Sequence, residues 1–308
     1  MAQRIVAGGA LLLLLMSLAA CGPSGTSLTA QQLQEQNPEA KYVNLDGVSL
    51  HYTQEGLGKP LVFLHGFLTN SYLWRNITPG LTYGKTIYSL DLMGSGISEK
   101  PQNQTYSIET HVAQLSKFIS DFHLDNVILA GHGIGGSIAA VYTVRNPQNV
   151  RKLVLMNTPL YPGYSATGLG LLKIPLIGGL LTNDWFLERT LRGGVAKPDK
   201  FSDFLVKTYL QPYQNDPGAR VALLKQVKEL NLDTVLEKEV VPALSTWQVP
   251  TFLMWGDGDP YVPLDEGKRA KKDIPDAKIY VVLNTAHYSI EERPEDVRQA
   301  LKEFLDQK

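Results

Sequence analysis

The residues best suited to chemistry fall in five short segments. Asp257 and Asp259 stand two apart in Gly256-Asp257-Gly258-Asp259-Pro260, and His287 follows Ala286 about thirty residues later. A carboxylate can fix the tautomer of an imidazole, and an imidazole that titrates near neutral pH can act as a general base. His65-Gly66-Phe67, the turn Asp91–Ser98 and the glycine-rich run Gly131-His132-Gly133-Ile134-Gly135-Gly136 complete the set. That run superficially resembles a phosphate-binding loop, but it lacks the Lys-Ser/Thr such a loop requires. No His, Asp or Glu cluster has the spacing of a metal site, so neither a metal nor another cofactor is expected. His65 and His132 read as residues that shape and pack the loops rather than as reactants.

Positioning these groups requires a sheet whose strands end at them. Lys41–Leu45 and Val48–Gln54 read as strands around the turn Asp46-Gly47. Leu61–Leu64 ends at His65-Gly66, Thr86–Leu90 at Asp91, and Val127–Ala130 at the glycine run. Leu153–Met156, Phe252–Trp255 and Ile279–Leu283 are three further apolar strands. Ile108, Val112, Leu115, Ile119 and Phe122 recur at helical spacing. Ile134, Ile138, Val141 and Tyr142 are expected on one face of the helix after the glycine run. Pro294 suits the first turn of a last helix carrying Val297, Leu301 and Phe304. Strands alternating with helices imply a mostly parallel sheet with its chemistry at the strands' C-terminal ends. The alternation stops at about 160–249, which reads as a helical cap. Its segment Gly168–Leu181 is rich in apolar residues: Leu169, Leu171, Leu172, Ile174, Leu176, Ile177, Leu180 and Leu181.

In this order the five segments resemble the α/β-hydrolase superfamily, of the type with a helical cap after the sixth strand of an eight-stranded sheet. The resemblance covers about Tyr42 to Leu305. It implies that Asp259, with Asp257 ranked second, is the acid of a catalytic triad and His287 its base. It also implies that the N–H groups of Phe67 and Ile134 form an oxyanion hole. The family places its nucleophile at the middle of G-x-S-x-G, with Ser, Asp or Cys there, and this sequence has Gly133. Glycine carries no attacking atom, so no covalent intermediate can form at residue 133. The elbow demands a positive φ, which glycine adopts at little cost. Ser137, Ser95 and Ser289 do not occupy the attacking position.

The N-terminal residues read as an address. Arg4 is the only charge in Met1–Ala20, ahead of an apolar run centred on Leu11–Leu15, as in a secretory signal. Leu18-Ala19-Ala20-Cys21 resembles the lipobox of bacterial lipoproteins, which implies cleavage before Cys21 and its acylation. That would place the protein in the bacterial cell envelope; Gly22, with no Asp after the cysteine, favours the outer membrane over the inner. Residues 21–38, rich in Ser, Thr, Gln and Gly, read as a flexible tether, and the folded domain as 39–308.

The 308 residues carry 29 basic and 30 acidic side chains, a net charge of −1, which excludes a basic nucleic-acid face. One cysteine excludes a disulfide framework. Three functions remain open: a binding module that holds a small apolar or acyl-type molecule under the cap; an enzyme using only the His287–Asp259 dyad, as in cofactor-free dioxygenases of this fold; and a serine hydrolase whose serine has been replaced. The partners expected are that small molecule and, through Cys21, a membrane.

Overall fold

In the computed structural model, residues 25–163, 169–174 and 177–307 are described. The leader, Cys21, Gly168 and Leu176 lie outside them. The eight expected strands are present: β1 Lys41–Leu45, β2 Val48–Glu55, β3 Lys59–Leu64, β4 Lys85–Leu90, β5 Val127–His132, β6 Val150–Met156, β7 Thr251–Gly256 and β8 Lys278–Val282. They form one sheet in the order β1-β2-β4-β3-β5-β6-β7-β8. β1 pairs antiparallel with β2, and β2 with β4; every later pair is parallel. β5 is buried at every residue, as a parallel strand covered on both faces must be. Each fully buried Val or Leu there contributes about 1.5–3 kcal/mol relative to exposure.

The helices are α1 Ala30–Gln36, α2 Ile108–Asp121, α3 Ile134–Arg145, α4 Asp184–Gly193, α5 Asp203–Asn215, α6 Ala219–Glu229, α7 Leu264–Asp273 and α8 Pro294–Asp306, with shorter turns between. α3 differs from the one-sided helix expected of it: Ile134 through Thr143 are all buried. It is wedged among β5, β6 and α2, so no face is left for solvent.

Two regions depart further from the sequence reading. The described part of the expected flexible tether, from Gly25, holds α1, which is ordered by a capping box between Thr29 and Gln32. Leu33 buries its side chain, and the Ala30 N–H donates to Glu99 Oε1 at 2.9 Å. This segment is a strap seated on the domain. In the apolar segment of the cap, Leu169 and Leu172 are buried, but Leu171, Ile174 and Ile177 are exposed. The cap is inserted after β6, and the sheet resumes with β7 at Thr251.

Candidate active site

Gly133 joins β5 to α3 with φ 55° and ψ −127°, a conformation that penalises any side chain. The bend is tight because a Cβ on Gly131 would lie 2.4 Å from the Gly135 carbonyl. A Cβ at Gly133 would nevertheless fit without a clash. A Cβ built there would stand 3.5 Å from Gly66 Cα and 3.6 Å from His287 Nε2, both ordinary contacts.

His287 lies on the loop after β8. Its Nδ1 is 2.9 Å from Asp259 Oδ2. Asp259 is fixed by other donors as well: the N–H groups of Tyr261 at 2.8 Å and Val262 at 3.0 Å reach Oδ1, and Asn157 Nδ2 reaches Oδ2 at 2.6 Å. Burial alone would push the Asp259 carboxyl up. The neighbouring imidazole and these donors outweigh it, so the pKa ends below the ordinary aspartate value. Asp257, the other candidate acid, is exposed and accepts only the Thr285 N–H among the described groups, at 3.1 Å. No described side chain hydrogen-bonds His287 Nε2, which faces the position above Gly133.

Three other histidines have different roles. His132 is fully buried, its Nε2 2.9 Å from the His287 carbonyl and its ring 4.5 Å from the His287 ring. Burial lowers its pKa to about 3, so it stays neutral and props the loop that carries His287. His65 accepts the Leu92 N–H at 2.9 Å through Nε2, so its Nδ1 carries the proton given to the Gly66 carbonyl at 2.8 Å. It thereby joins the turn after β3 to the turn after β4. His51 on β2 makes a second pair, Nδ1 to Asp91 Oδ2 at 2.9 Å.

The backbone N–H groups of Phe67 and Ile134 have no partner among the described residues, whereas nearby N–H groups such as that of Gly133 do. Two uncommitted donors beside a histidine can stabilise a developing oxyanion. Ser137 donates to the Pro159 carbonyl at 2.7 Å, and Ser289 to Asn157 Oδ1 at 3.4 Å; both are buried in packing. Neither reaches the imidazole.

Two site residues escaped the sequence reading. Asn157 follows β6, the strand-end position at which the other candidates also sit. Glu292, five residues after His287, accepts three N–H groups: Ala196 at 3.0 Å, Lys197 at 2.9 Å and Ala286 at 2.7 Å. It clamps the cap to the His287 loop. Tyr261 adds a second tie, its ring centroid 5.2 Å from that of His287 in an edge-to-face arrangement and its hydroxyl donating to the Thr190 carbonyl of α4.

Residues 59–294 match the family model described as the alpha/beta hydrolase fold. The chain belongs to the α/β-hydrolase family. Among curated relatives, it is 27% identical over 285 residues to the AB hydrolase superfamily protein YfhM of Bacillus subtilis, covering 87% of this chain and 98% of that one. It is 26% identical over 274 residues to haloalkane dehalogenase 2 of Mycobacterium tuberculosis, covering 86% and 94%. Among solved structures, the haloalkane dehalogenase DatA from Agrobacterium tumefaciens superposes with a TM-score of 0.77 at 25% identity, covering 87% of this chain and 96% of that one.

Among the described residues, no group of three or more His, Cys, Asp or Glu could hold a metal ion. A cavity of about 480 Å³ lies away from the dyad, lined by His51, Asp91 and Lys100 together with Leu28 and Leu33 of the strap. Phe67 instead lines a smaller cavity of about 250 Å³ that includes Lys173 of the cap.

Proposed function

We propose that this α/β-hydrolase is a lipid-anchored protein of the bacterial envelope in which glycine has replaced the attacking residue. It retains a site for an apolar, acyl-type molecule and has lost covalent ester hydrolysis. The observation that carries this reading is Gly133: it has the strained backbone of a nucleophile turn, faces His287 Nε2, and bears no side-chain atom. Around it stand an imidazole fixed by Asp259 and two unpartnered N–H donors, those of Phe67 and Ile134. A carbonyl could be held against those donors, but no acyl-enzyme could follow. Lipidation at Cys21 is inferred from Leu18-Ala19-Ala20-Cys21, and an outer-membrane position from Gly22.

The mature protein should release no p-nitrophenol from short- or long-chain p-nitrophenyl esters while binding a fluorescent fatty-acid analogue saturably. Ester turnover abolished by His287→Ala would overturn the loss of hydrolysis. Absence of saturable binding would remove the retained site.

The completeness of the dyad favours a second reading. No described side chain hydrogen-bonds His287 Nε2, and its partner Asp259 is held by three further donors, so it could take a proton from a bound acid or from water. Hydrogen–deuterium exchange at an acidic carbon of a bound ligand, lost in His287→Ala, would support this. Exchange unaffected by that substitution would end it.

A further inference from the structure

The strap ends beside the cap. Gly25 packs so closely on Pro217, between α5 and α6, that a Cβ there would stand 2.5 Å from the proline Cβ. The Leu28 N–H donates to Asp216 Oδ1 at 3.3 Å. Three residues beyond Pro217, Arg220 donates to the Thr182 carbonyl at 2.9 Å and to Asp184 Oδ1 at 2.5 Å, at the start of α4. The point where the strap reaches Gly25 and the beginning of α4 therefore share one side of the cap.

Only four residue steps separate Cys21 from Gly25, and fully extended they span at most about 14 Å. An acyl anchor on Cys21 would hold this side of the cap within that distance of the lipid. The cap carries exposed apolar side chains: Leu171 is 48% exposed, Ile174 40%, Ile177 47% and, beside Asp184, Trp185 68%. The Arg189 guanidinium lies 5.8 Å from the Trp185 ring, a pairing suited to the interface between headgroups and acyl chains. The neighbouring acids are already paired, Asp184 with Arg220 and Glu188 with Arg192.

We propose that the cap face bearing Leu171, Ile174, Ile177 and Trp185 seats on the bilayer that holds Cys21, so that the site takes its ligand from lipid. This rests on the lipoprotein reading above. The cavity that includes Phe67 also includes Lys173, between Leu171 and Ile174. Its cap side adjoins two of those apolar residues in sequence, and Phe67 is its link to the candidate site.

Trp185 is an internal reporter, because Trp74, Trp247 and Trp255 are buried. The sole cysteine permits attachment without cellular acylation. The chain from Cys21 onward, which keeps every described residue, would be coupled through that thiol to a maleimide phospholipid. The host vesicles would contain phosphatidylcholine and phosphatidylglycerol, with or without bromine on the acyl chains. Docking predicts bromine-dependent loss of tryptophan emission that disappears in Trp185→Phe and weakens in Ile177→Asp. Leu57→Asp, which alters an exposed leucine on the β2–β3 turn, should leave the loss unchanged.

Coupled protein with no bromine-dependent loss would overturn the docking. So would a blue shift of Trp185 emission with protein concentration in the absence of lipid, which would assign the face to a second copy. Radiolabelled palmitate in cells tests the lipoprotein reading separately. Quenching in coupled protein without palmitate on Cys21 would keep the lipid-seeking face and overturn natural anchoring.

Discussion

Two histidine–aspartate pairs of the same length stand among the described residues, one buried and one with its histidine partly exposed. His287–Asp259 and His51–Asp91 each place Nδ1 2.9 Å from a carboxylate oxygen. In both, burial pushes the aspartate up, and the paired imidazole and other donors bring it below its ordinary value. The surroundings differ. Around Asp91, the N–H groups of Ser71 and Ile97 close on the carboxylate at 2.6 and 3.0 Å, joining three chain segments. Around His287, the N–H groups of Phe67 and Ile134 have no described partner, and the imidazole faces a positive-φ turn where a Cβ would fit without a clash. A His–Asp pair alone marks nothing; uncommitted donors beside it distinguish a reaction site from a structural staple.

The largest effect expected from this comparison is a gain. Gly133→Ser should raise p-nitrophenyl ester hydrolysis at least about 10³-fold, since the base, acid and donors are in place. No serine introduced beside His51 should do so. The positive φ should cost about 1–2 kcal/mol of stability in a urea titration. If Gly133→Ser folds and cleaves nothing, the site has lost more than one atom.

The two aspartates should then separate by function. In the Gly133→Ser background, Asp259→Asn should lower the new activity at least about 100-fold by disturbing the imidazole tautomer. Asp91→Ala should instead destabilise the fold by about 3 kcal/mol, leaving His51 and two N–H groups without their acceptor. Equal losses of activity in Asp259→Asn and a folded Asp91→Asn would erase the distinction.

Acid should strain both pairs. Each aspartate has a folded pKa below its unfolded value, so the stability it contributes is complete above the unfolded value, about 3.9. That contribution is lost as pH falls through the folded value. Urea midpoints should therefore drop from about pH 4 downward, and Asp91→Asn should flatten the slope. An unchanged slope in that variant would remove Asp91 from the account. The smallest effect is at the clamp: Glu292→Gln should cost about 1–2 kcal/mol by weakening the acceptance of three N–H groups.

Much of this was legible because the chemistry sits where apolar runs stop. Val127–Ala130 leading into Gly131–Gly136, and Phe252–Trp255 leading into Asp259, mark strand ends by composition alone. Gly133 stands out for the same reason, at the turn between a buried strand and a helix. Asn157 was not, because one amide after β6 has no spacing partner in sequence; its role appears only when β6 and β7 lie side by side. The strap was misread because its polar composition suggested a tether, although Thr29 and Gln32 have the spacing of a capping box. The outward turn of Leu171, Ile174 and Ile177 depends on how the cap packs on α6, which local hydrophobicity does not encode.

The most direct test is a fluorophosphonate probe applied to the parent and to Gly133→Ser, with the modified residue found by mass spectrometry. The account predicts an unmodified parent and a variant phosphonylated at position 133 alone. Labelling of the parent at any serine that depends on His287 would contradict it.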